Sequence, residues 1–113
     1  MKNYIVLFRE PDGRLDDHTE EEISVHRKNW TTWLNKWGSA GNLAGGNSLT
    51  LEGRLITGDG TVITKGMHQV GEEIVGGFLL LKADDLDQAT QIAASCPIYE
   101  LGGYAEVREL QNQ

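Results

Sequence analysis

Three histidines, one cysteine and a pair of opposite charges near the C-terminus are the groups through which this 113-residue chain could do chemistry. His26 lies in a stretch with helical character, one turn before Trp30, so the two share a face. An imidazole in that position can take or give a proton near neutral pH. Cys96 can assist only if its thiol pKa is depressed. Glu106 and Arg108 are two apart on a strand-like run and so point the same way. Such a pair either orients a ligand in a polar pocket or fixes a subunit boundary. Lys65-Gly66-Met67-His68 is a loop in which Met67 offers adaptable apolar contact and His68 a donor or acceptor. It reads equally as the rim of a pocket and as a solvated loop. Trp30, Trp33 and Trp37, at spacings of three and four, form a helical stripe that packs as core or walls an apolar pocket.

Other chemistry is disfavoured. His18, His26 and His68 show no ligand spacing, so no metal site is expected. Gly45-Gly46 precedes an extended segment and not a helix N-terminus, so no nucleotide cofactor is implied. The formal net charge of −7 opposes a phosphate backbone, and no basic stripe offsets it, so nucleic-acid binding is not expected. The longest apolar run, Phe78 to Leu81, is far too short to cross a membrane. A single cysteine and a strand-like run at the very start, with no signal-peptide pattern, make the cytoplasm the expected compartment.

The elements that must position these residues are legible in outline. Tyr4 to Phe8 is a β-branched and aromatic strand, apolar on both faces, ended by Pro11-Asp12-Gly13. Thr19 and Glu22 form a capping box that starts a long helix, with Ile23, Trp30, Trp33, Leu34 and Trp37 on its apolar face and Gly38 to Gly41 at its end. Leu43 to Leu51 is extended and Gly-rich. Leu55 to Thr57 and Thr61 to Thr64 flank Gly58-Asp59-Gly60 as a hairpin. Phe78 to Leu81 is again apolar on both faces. Asp85 and Gln88 form a second capping box, and Leu86, Ala89, Ile92, Ala93 and Cys96 mark a helix that Pro97 stops. A last strand runs from about Tyr104 to Leu110. This order predicts one α+β domain over residues 1–113, a ferredoxin-like sandwich with an antiparallel sheet and two main helices on one face. The second apolar face of that sheet then needs a cover, and a second subunit is the simplest.

The phrase Gly76-Gly77-Phe78, Asp84 to Ala89, Cys96-Pro97 and Glu106-Val107-Arg108 resembles the YCII-related family, including its branch named for an Asp-Gly-Pro-Phe motif. The resemblance spans nearly the whole chain and implies a homodimeric α+β barrel in which two sheets pack face to face. Members similar to the bacterial founding type carry a His in the first helix and an Asp before the proline that ends the second, thought to act as an acid/base pair. The matching positions here are Trp30 and Cys96, so neither residue type is retained, and His26 is the candidate substitute. The branch motif falls at Lys65 to His68 and keeps only its glycine.

The leading expectation is a homodimer that binds a small organic molecule in a cleft beside the first helix, lined by Trp30 with Met67, His68, Glu106 or Arg108. The alternatives are a small cofactor-independent enzyme of lyase or isomerase type, with His26 or His68 as base and Cys96 or Glu106 assisting, and a protein-interaction module.

Overall fold

The computed structural model describes residues 1–12 and 17–111, which leaves Gly13 of the expected turn outside the described residues. Strand β1 spans Lys2–Pro11 and lies inside a four-stranded sheet of order β2-β5-β1-β6, where β2 is Leu43–Ser48, β5 is Glu73–Ala83 and β6 is Tyr104–Glu109. All three pairings are antiparallel. Helices α1 (Glu20–Ser39) and α2 (Leu86–Ala94) supply Trp33, Ala89, Ile92 and Ala93 to one core with Tyr4, Val6, Leu79 and Leu81, so both cover the same face. This is the ferredoxin-like α+β arrangement that the element order predicts.

Local chemistry sets the helix ends. The Thr19 hydroxyl accepts from the Glu22 N–H at 3.1 Å while the Glu22 carboxylate accepts from the Thr19 N–H at 3.2 Å, the reciprocal box expected. At α2 the reciprocity breaks. Asp85 accepts from the Gln88 N–H at 2.8 Å, but the Gln88 side chain reaches the N–H of Asp84 instead, at 2.6 Å. Pro97 does more than stop α2: with its fixed φ it opens a 3₁₀ helix, Pro97–Leu101, closed by Gly102 at φ 83°.

The sheet keeps strict alternation along β1. Tyr4, Val6, Phe8 and Glu10 are buried toward the helices, and Ile5, Leu7 and Arg9 are half-buried on the other side. Leu79 and Leu81 of β5 join the first face, while Phe78 and Leu80 lie half-buried with Leu7 and Ile5 on the second. Among the described residues no helix packs on that second face. Strands β3 (Arg54–Thr57) and β4 (Val62–Lys65) form a separate hairpin, turned by Gly58 and Gly60 at φ 66° and 95°. It stands clear of the larger sheet and of both helices, with Ile56, Val62 and Ile63 exposed. Among the described residues no helix is long and apolar enough to cross a membrane.

Candidate functional site

A cleft of about 520 Å³ opens between α1, the ends of β1 and β5, the edge of β2 and the 3₁₀ helix. Its wall is Trp30, whose indole meets Phe8 edge to face at 5.3 Å and Trp33 at 5.7 Å. The tryptophan stripe divides its work. Trp33 is buried and donates from its indole N–H to Ser95 Oγ at 2.9 Å, which holds it in the core. Trp30 is half-buried and its N–H points along the cleft wall to His26 Nε2, 3.0 Å away. Leu34, expected on the core face of α1, is 36 % exposed and lines the cleft instead.

His26 is held from both sides. Its Nδ1 lies 2.8 Å from Glu100 Oε1, and the second oxygen of Glu100 accepts from Asn29 Nδ2 at 2.9 Å. Because Nε2 accepts from Trp30, the ring proton belongs on Nδ1, where it donates to Glu100. The result is a neutral imidazole of defined tautomer, its side chain 14 % exposed, in a chain of hydrogen bonds running Trp30 to His26 to Glu100. A carboxylate behind a histidine fixes the tautomer and orientation of the ring.

The floor is built by a β-bulge. Pairing slips between Phe8, opposite Gly77, and Arg9, opposite Val75, so Gly76 has no partner in the ladder. The Glu10 carboxylate lies against Gly76 at the place where a Cβ would stand. Glu10 is 7 % exposed and lines the cleft together with Gly76.

The remaining candidate residues fall elsewhere. Cys96 precedes the 3₁₀ helix, is 4 % exposed and is not part of the cleft lining; burial pushes its thiol up to about 11. Its neighbour Tyr99 is also raised, first by burial and then by Cys96, and donates to the Ala93 carbonyl at 3.0 Å. Met67 is half-buried and His68 exposed on the loop after β4, outside the lining. Glu106 and Arg108 sit opposite Leu7 and Ile5, on the sheet face away from the helices. There Glu106 pairs with Arg9 at 3.1 Å, which raises the guanidinium further above its ordinary value, and Tyr104 donates to Glu73 beside it. Arg108 is exposed.

Sequence reasoning passes over Glu10, Glu100 and Asn29. Glu10 continues the alternation of Tyr4, Val6 and Phe8, and that period is the signal that finds it. Glu100 carries no local signal beyond Pro97 as a helix-opening residue. Among the described residues no group of three or more His, Cys, Asp or Glu could hold a metal ion.

None of the curated proteins compared with the chain matches it. Among solved structures, the fold is similar to 5-chloro-2-hydroxyhydroquinone dehydrochlorinase (TftG) of Burkholderia phenoliruptrix AC1100, solved in complex with 2,5-dihydroxybenzoquinone. The TM-score is 0.58 at 15 % identity, over 98 % of this chain and 95 % of that one. The family model for the YCII-related domain matches residues 4–111. With most of β1, both helices, the cleft and β6 inside that span, the chain belongs to the YCII-related domain family.

Proposed function

We propose that the protein binds a small organic molecule in the cleft beside α1, as a homodimer in which the second face of the sheet is covered by another copy. The observation that carries the reading is the cleft itself, about 520 Å³ with an aromatic wall, apolar sides and a few convergent polar groups. The small-molecule complex of the structurally similar TftG supports it by analogy of fold. The half-buried Ile5, Leu7, Phe78 and Leu80 support the dimer, because an apolar sheet face is costly to leave in water.

A second reading, acid/base catalysis at His26, is favoured by one observation: the imidazole is held by Glu100 as a neutral group whose Nε2 faces the cleft wall. In the present arrangement that nitrogen is occupied by the Trp30 N–H. A ligand hydroxyl competing for it would displace the indole and take the place of the donor, with His26 as the base.

Both readings are tested by NMR titration with hydroquinone, watching the indole N–H signals of Trp30 and Trp33. Binding in the cleft shifts Trp30 and leaves Trp33, which is tied to Ser95 in the core. Loss of the Trp30 hydrogen bond on binding would mark Nε2 as released to the ligand. Equal movement of both indoles, or of neither, overturns the cleft as the binding site.

A further inference from the structure

The indole of Trp30 has a single polar atom, and that atom can only donate. It donates to His26 Nε2 at 3.0 Å, across one turn of α1. On the other side of the imidazole, Nδ1 lies 2.8 Å from Glu100 of the 3₁₀ helix, and Asn29 donates to the second oxygen of that carboxyl group at 2.9 Å. Nδ1 is a donor whether the ring carries one proton or two, so titration leaves this side of His26 unchanged. The Nε2 side is different. A second proton can enter only at Nε2, and it turns the acceptor of the Trp30 bond into a donor. Two N–H groups then face each other at hydrogen-bond distance, and the contact becomes repulsive. The indole concerned is the aromatic wall of the cleft, packed edge to face on Phe8 and Trp33.

We infer that His26 is a proton-operated latch on the cleft wall: the neutral ring holds Trp30 in place, and protonation releases it. Its consequence for binding rests on the cleft being the ligand site, and there the direction follows from the geometry. A ligand that packs on the ordered wall needs the bond from Trp30 to Nε2. A ligand hydroxyl that takes Nε2 for itself also needs that nitrogen without a proton. Both select neutral His26, so binding weakens as pH falls through the titration of the ring. With one proton linked, affinity falls about tenfold per pH unit below that midpoint, and bound ligand in turn keeps the ring neutral to lower pH. Among the described residues, the other titratable groups around the latch are few. Glu22 of α1, one turn before His26, is engaged by Thr19 and His18, and Arg27 is exposed. Tyr99 of the 3₁₀ helix donates to the Ala93 carbonyl, and β2 carries no ionisable side chain. Glu10 of β1 lies on the cleft floor, and it is the group whose titration has to be told apart from that of His26.

The test follows the free protein by NMR from about pH 8 to about pH 5, the range in which imidazoles titrate, reading the His26 ring and the indole N–H signals. Trp30 is expected to move with the same midpoint as His26, toward the position of an unbonded indole, while Trp33, tied to Ser95, stays. His26→Gln keeps an oxygen that can accept from the indole and cannot titrate, so the movement of Trp30 should vanish. Hydroquinone, uncharged throughout this range, should lose affinity about tenfold per pH unit below the wild-type midpoint and show a flat profile with His26→Gln. A Trp30 signal that stays fixed while His26 titrates overturns the latch without recourse to a variant, as does a ring that remains neutral down to about pH 5. Movement of Trp30 that persists in His26→Gln assigns it to another group, Glu10 first, and overturns it too. Hydroquinone bound in the cleft with equal affinity at every pH overturns the latch as a control on binding, while leaving the cleft reading intact. A Trp30 transition that matches His26, with hydroquinone shifting no indole at any pH, removes the cleft reading and supports the latch.

Discussion

At the scale of single residues, the contrast between His26 and Cys96 is one of environment. Both are ordinary candidates by type, and α1 and the 3₁₀ helix bring His26 to Glu100 while the core closes over Cys96. A thiol pushed up to about 11 stays protonated at neutral pH and is a poor nucleophile. The native protein should therefore resist iodoacetamide at pH 8 and react promptly once unfolded, as followed by mass spectrometry. Fast labelling of the folded protein would contradict the burial. The same shift has a linkage consequence. The folded state holds the thiol proton more tightly than the unfolded chain, so its contribution to stability is complete below the ordinary value of 9.0 and is lost as pH rises toward about 11. Denaturant titrations should show wild type losing stability across that window more steeply than Cys96→Ala. Parallel pH profiles would overturn the assignment.

At the scale of elements, α1 depends on its first turn, because it must deliver His26 and Trp30 in register to the cleft. Thr19 and Glu22 satisfy two amides that the helix itself leaves open, with Glu20 and Glu21 placed favourably in the dipole field. The hydrogen bond from the Thr19 backbone N–H is the main cause holding the Glu22 carboxyl below its ordinary value, so this support is present above the unfolded carboxyl pKa and fades as pH falls through the folded one. Thr19→Ala should lower stability by about 1 kcal/mol at neutral pH. Glu22→Ala should lower stability at neutral pH as well, and that loss should shrink in acid, where the wild-type carboxylate is protonated and its half of the box is gone. Urea titration at neutral and acidic pH measures both; an equal loss from Glu22→Ala at the two would show that the carboxylate takes no part.

At the scale of the whole molecule, the ferredoxin-like sheet has one face sealed by α1 and α2 and one face of half-buried apolar side chains. In the proposed homodimer a second copy would cover that face, which would make Leu80, opposite Ile5 of β1, a sensitive position. Leu80→Glu should convert a dimer to a monomer by sedimentation equilibrium, raising the dissociation constant by about a hundredfold or more for an uncompensated charge at the interface, with the helical signal preserved. A wild-type monomer, or a variant that sediments as wild type does, would remove the proposed interface. The hairpin of β3 and β4, clear of the rest of the chain and carrying exposed Ile56, Val62 and Ile63, adds further apolar surface outside the core.

What the sequence determined by itself is everything that depends on near neighbours. Alternation in Tyr4 to Phe8, the Thr19 box, the three-and-four spacing of the tryptophans and the Gly58-Asp59-Gly60 turn are local signals, and the elements follow from them because backbone hydrogen bonding and side-chain direction repeat over a few residues. The same locality places His26 beside Trp30, one turn away, and Glu106 on the same face as Arg108. Which face that is, no local rule decides. It follows from β6 pairing Val107 with Val6, which turns Glu106 and Arg108 away from the helices. Only the tertiary structure set Glu100 against His26 across 74 positions of chain, and only the bulge at Gly76 opened a seat for Glu10. Strand order, register and the direction of a short 3₁₀ helix are settled by how all the apolar faces bury together, which is a property of the assembled core and of no single segment.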